Sequence, residues 1–148
     1  MYTAVLIVHN WIRWVALVAA VGTAFAAFRR QAATADRWGL IAMTTLDLQM
    51  LLGLLLYLAI SPNMKAILDD FGASMKDPAL RFWAVEHIAS MFVAVIMAHV
   101  GRVLARKAKT DDARCKRLLI TFTIAILFML IGMPWPGRPA GRPLLRTS

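Results

Sequence analysis

Four stretches of the chain, each near the roughly 20 apolar residues that cross a bilayer, constrain the fold more than any other feature. Apolar periodicity predicts helices over about 3–28, 39–60, 79–102 and 118–135. With 60% hydrophobic and only 17% charged residues in a chain of 148, one water-facing domain could not hide this much apolar surface. The expectation is an all-α integral membrane four-helix bundle forming a single transmembrane domain. Intrinsic disorder and a disulfide-stapled secreted fold are excluded. The lone Cys115 can form no internal disulfide.

The formal charge of +9 would suggest a nucleic-acid partner in a soluble chain, but its placement points to a lipid bilayer instead. Arg29, Arg30 and Arg37 fall between the first two apolar stretches. Arg102, Arg106, Lys107, Lys109, Arg114, Lys116 and Arg117 fall between the last two. Cationic loops stay on the cytoplasmic side, so both termini are expected on the outer, periplasmic side of a bacterial inner membrane. Lys65, Lys76, Arg138, Arg142 and Arg146 then lie outside, fewer than the ten inside. Tyr2, Tyr57, Trp83 and Trp135 near the outer boundary and Trp38 near the inner one agree, because amphipathic rings favour the headgroup layer.

No Lys or Arg precedes the first apolar stretch, and His9, Asn10 and Arg13 interrupt it. A retained anchor is therefore expected rather than a cleaved signal. Ser61-Pro62 begins an amphipathic segment, about 62–75, that should lie on the outer surface. Pro134-Trp135-Pro136-Gly137 ends the fourth helix, and an extended tail is expected over about 136–148. No phosphate-binding glycine loop, Cys-x-x-Cys pair or Gly-x-Ser-x-Gly nucleophile is present, which disfavours soluble-enzyme chemistry.

The informative residues are the ionisable ones at membrane depth: His9, Arg13, Asp47, Glu86, His87 and His99. Each costs roughly 2.5 to 3.5 kcal/mol near the midplane and so needs a partner or a function. At about 1.5 Å per residue, His9 lies roughly 10 Å and His87 roughly 12 Å below the outer boundary on different helices. Two level imidazoles are what one bis-histidine haem requires. A hydrogen bond to a neighbouring helix is the plainer role for such a histidine. Copper is a weaker expectation from the nine methionines, since Met in apolar helices ordinarily fills space.

His99 lies about 18 Å deeper than His87 and cannot share its haem. With three histidines, a second haem would need an unusual ligand such as Met43. Arg13 is expected to reach back to Glu86, as an ion pair or a ligand-orienting pair. Asp47 is expected to meet His99 or Arg102. Gln49, Gly53 and Tyr57 form a polar and small stripe suited to helix packing. Arg81 and Lys76 stand at the outer entry to the third helix, where haem carboxylates would emerge.

His9-Asn10-Trp11-Ile12-Arg13-Trp14, Gln49-Met50-Leu51-Leu52-Gly53 with Tyr57, Lys76-Asp77, Arg81-Phe82-Trp83-Ala84-Val85-Glu86-His87, Gly101-Arg102 and Pro134-Trp135-Pro136 follow in this order along nearly the whole chain. In this pattern the sequence resembles small bacterial four-helix membrane proteins described as cytochrome b-like. The resemblance implies haem b, with His9 and His87 as axial iron ligands. It also implies membrane electron transport. The leading expectation is a single-haem carrier or subunit, more than a stand-alone enzyme, that exchanges electrons with a quinol or a respiratory-chain partner. Arg13, Glu86 and Arg81 are the further candidate cofactor-binding residues. The chain departs from dihaem b-type cytochromes in lacking a fourth histidine. Two alternatives from other classes stay open: a cofactor-free accessory subunit of a larger membrane complex, and a proton or metal-ion pathway through Glu86, Asp47 and the histidines.

Overall fold

A computed structural model describes residues 1–145; Arg146, one of the expected outer cations, lies outside the described residues. Four helices long and apolar enough to cross a membrane make up most of the chain, and no strand occurs among the described residues. Helix α1 is Tyr2–Phe28 and α2 is Ala32–Leu55, which runs on into a π-helical turn, Leu56–Ile60. Two short helices follow, α3 (Pro62–Asp69) and α4 (Phe71–Ser74). The third span starts with α5 (Pro78–Arg81), passes through a second π-helical turn (Phe82–Glu86) and continues as α6 (His87–Arg106). Helix α7 is Asp111–Gly132.

The helices extend further at the basic end than hydropathy predicts. Residues 29–31 and 107–110 are all that remain of the two connections there, so Arg37, Arg102, Arg106, Arg114, Lys116 and Arg117 are helical. Hydropathy detects where lipid ends, whereas a helix ends where its backbone hydrogen bonds stop. Thr110 supplies such a boundary by accepting from the Ala113 N–H, with Asp111 and Asp112 favourably placed in the first turn of α7. Ser61 caps α3 through the Met64 N–H, and Asp77 caps α5 through the Ala79 and Leu80 N–H groups. The surface segment is thus broken at Asp70 rather than continuous, with Asp70 capping α4 in turn.

The core is built from small residues. Ala16, Ala19, Ala20 and Ala27 of α1 meet Ala35 and Ala42 of α2, Ala94, Ala98 and Ala105 of α6, and Leu118, Phe122 and Ala125 of α7. Small side chains let helix backbones approach closely, the main source of attraction where lipid removes the hydrophobic incentive to associate. Many large apolar side chains point outward, among them Val18, Phe25, Leu51, Leu127 and Ile131, while Leu46, Leu118 and Phe122 are buried. That distribution suits a hydrocarbon solvent and would be an aggregation liability in water.

The tail does not run straight out as its proline content suggests. Trp135, Arg138 and Gly141 each donate a backbone N–H to a carbonyl two or three residues back, and the Arg142 N–H returns to the Pro134 carbonyl at 3.1 Å. Gly137 takes a φ of +88°, open to glycine, and a Cβ on Gly141 would stand 2.6 Å from the Trp135 carbonyl oxygen. A second contact closes the turn onto the bundle: the Leu144 carbonyl accepts from the Arg13 guanidinium and from Trp14 Nε1.

Candidate functional site

The sequence places His9 two turns into α1, and the fold brings its imidazole opposite that of His87 on α6. The ring centres lie 6.4 Å apart with the planes at 70°. His87 follows directly on the π-turn Phe82–Glu86, whose wider winding re-aims the residues after it. Both π-turns stand at this end of the bundle, and one hydrogen bond links them: the Tyr57 hydroxyl donates to the Ala84 carbonyl at 2.7 Å. Phe82 and Trp83 flank the His87 ring at 5.9 and 5.5 Å between centres.

His87 Nδ1 lies 2.7 Å from the Gly132 carbonyl oxygen. A carbonyl can only accept, so Nδ1 carries the proton and Nε2 is left with its lone pair. A backbone carbonyl holding one ring nitrogen is the usual support of a histidine whose other nitrogen binds a metal. His9 sits against Gly53, where a Cβ would lie 3.3 Å from its Cε1, and its Nδ1 is buried without a hydrogen-bond partner. Gln49 braces this level of α1 by donating from Nε2 to the His9 carbonyl at 2.8 Å. Its Oε1 is also buried and unpartnered.

Both imidazoles line a cavity of about 340 Å³ formed by α1, α2, α3, α6, the end of α7 and the tail. That volume lies toward the lower end of the roughly 300–1,000 Å³ typical of small-molecule sites. Its walls are largely apolar, with five methionines (Met50, Met64, Met91, Met129 and Met133) and Trp83, and its polar groups include Asn10, Arg13, Gln49, Tyr57 and Arg142.

The structure separates several residues that sequence reasoning groups together. Arg13 does not reach Glu86. Glu86 accepts from Arg81 Nε at 2.7 Å on the bundle surface, because five residues make about one turn where the winding is π-helical. Arg81 and Glu86 line a separate hollow of about 150 Å³ with Arg138, not the cavity shared by the histidines. Lys76 lines neither hollow. Arg142 and the tail, by contrast, do enter the cavity wall; Arg142 stands 5.6 Å over the Trp83 ring. Only a cation in a proline-rich tail hinted at it.

Asp47 meets His99, with Oδ1 2.8 Å from Nε2, and both remain partly exposed on the outside of the bundle. Arg102 is buried instead against α2, donating to the Asp36 carbonyl at 2.6 Å and pairing with the Asp36 carboxylate. Among the described residues no group of three or more His, Cys, Asp or Glu side chains is placed to hold a metal ion. A haem asks less of the chain, because the porphyrin supplies the other iron ligands and protein side chains only the axial ones.

The donor set can be tested against that group. Two imidazoles bound to one metal at about 2 Å, from opposite sides, have ring centres roughly 6 Å apart. The observed 6.4 Å agrees, and the orientation of His87 leaves the required nitrogen free. The site residues fit a bis-histidine group. Comparison with family models, with curated proteins and with solved structures finds no match for this chain.

Proposed function

We propose that this chain is a membrane-embedded, b-type cytochrome-like electron-transfer protein or subunit that holds one haem between His9 and His87. The observation that carries this reading is the 6.4 Å separation of the two imidazoles inside a shared cavity. Such a haem would supply one-electron exchange at iron. The chain's own residues hold and shield the site. The Gly132 carbonyl fixes the His87 ring, Gly53 makes room for His9, and the apolar wall limits water. Low polarity and the hydrogen bond at His87 are the means by which this site would tune a potential.

The cationic connections set the orientation in this reading: the basic end faces the cytoplasm, and both termini and the haem face the periplasmic side of a bacterial inner membrane. The electron partner is then a quinol in the bilayer or a respiratory-chain subunit. The purified chain is expected to show a Soret band that shifts on reduction with dithionite. His9→Ala and His87→Ala each abolish it, while His99→Ala leaves it unchanged. A band that survives both of the first two substitutions would sink the proposal.

A second reading, a cofactor-free accessory subunit, is favoured by one observation. The His99–Asp47 pair faces outward from a spanning helix pair, where a partner's helix would cover it. It predicts no chromophore and stable copurification with other membrane subunits.

A further inference from the structure

The cavity wall contains two guanidinium groups, Arg13 and Arg142, and no carboxylate among the described residues. Elsewhere four arginines pair with acids, Arg30 with Asp112, Arg81 with Glu86, Arg102 with Asp36 and Arg114 with Asp111, while Arg117 and Arg138 meet backbone carbonyls. The two in the cavity make different contacts. Arg13 gives one N–H to the Leu144 carbonyl, and its Nε is buried without a partner. Arg142 lies over the Trp83 ring, which in turn lies against His87. Arg13 stands one turn beyond His9, and Arg142 is connected to His87 through the Trp83 ring that both contact. The buried Arg13 Nε is costly while no anion or hydrogen-bond acceptor meets it, and Arg142 is exposed, where an anion entering the cavity can reach it.

We propose that the cavity takes an amphipathic ligand with carboxylate groups at one edge, held by Arg13 from α1 and Arg142 from the tail. Ligand binding then fastens the tail over the cavity mouth. This rests on the haem reading, in which the carboxylates are the two haem propionates. It moves their anchors away from Arg81 and Lys76. The tail is suited to the task because its own turns are already made: the Arg142 N–H is held by Pro134, and Leu144 is tied to Arg13 and Trp14.

The test is titration of the haem-free chain in detergent with ferric protoporphyrin IX and with its dimethyl ester, which keeps the ring and loses both charges. The diacid is expected to bind roughly tenfold or more tightly for each charge-assisted contact. Arg142→Gln and Arg13→Gln should each remove part of that ratio, and Arg142→Lys should retain more of it than Arg142→Gln. Reading the ratio against Arg142→Gln in the same detergent cancels partitioning differences, and unchanged helical circular dichroism verifies that the bundle is intact. Backbone amide exchange over 135–145 should slow with the diacid and not with the ester. Equal affinity of the native chain for both porphyrins, or a ratio unmoved by Arg142→Gln, overturns the assignment. Binding of neither porphyrin overturns the haem reading on which it stands.

Discussion

At the basic end, α1, α2, α6 and α7 close on alanine and glycine, and the buried Arg102 is paired with Asp36 through Nη1, its Nε being the one buried polar side-chain atom without a partner there among the described residues. At the histidine end the same four helices part around a cavity, two of them change winding, and three buried polar atoms (His9 Nδ1, Arg13 Nε and Gln49 Oε1) have no partner. Tight packing with paired charges is how a helical membrane protein gains stability. Open packing with unpaired polar groups costs stability and is retained where something binds. The contrast separates a scaffold from a site within one short bundle.

Substituting glycines at the two ends sharpens this difference, and the larger stability effect belongs to the basic end. A Cβ on Gly101 would lie 2.9 Å from Thr121 Cβ, with the Thr121 side chain itself buried. Gly101→Val is expected to destabilise the bundle by about 1–3 kcal/mol through overpacking. Denaturation of the detergent-solubilised chain measures it. A neutral result would mean that α6 and α7 are not closely packed there.

The hydrogen bond between the π-turns is worth less. Tyr57→Phe leaves the ring and removes the donor to the Ala84 carbonyl, for a loss of about 1 kcal/mol. Because Trp83 lies in that turn and His87 follows it directly, the same substitution should also weaken haem retention. No change in either measurement would show that Tyr57 does not set the turn.

Gly53→Ala carries the smallest expected stability change of the three. Its neighbour is the His9 ring, a side chain that can shift, and alanine is favoured over glycine in a helix by roughly 1 kcal/mol. Unfolding should therefore move little while haem binding weakens, the reverse of the Gly101 outcome. Should Gly53→Ala destabilise as much as Gly101→Val, the two ends would not differ as described.

The spans and the meeting of His9 with His87 were legible because both depend on rise per residue and apolar run length, which are local properties of a helix. The same depth counting left His99 and Arg102 as partners for Asp47, and the structure pairs it with His99. The pairing of Arg81 with Glu86 was not legible, since it depends on a π-turn that shifts helix phase and leaves no mark on hydropathy. Arg102 illustrates a related limit: counted with loop charges, it is instead a buried partner of Asp36, a fact set by the close approach of α6 to Gly39. The tail's entry into the cavity wall depends on contacts between residues about 130 positions apart, Arg13 and Trp14 with Leu144, which no periodicity encodes.

The central claim is that His9 and His87 together bind one iron, and electron paramagnetic resonance of the ferric, haem-loaded chain tests it most directly. A low-spin signal characteristic of two imidazole ligands is expected, converted to high spin or lost in His9→Ala and in His87→Ala. A high-spin signal in the native chain, or a low-spin signal indifferent to either substitution, would contradict it.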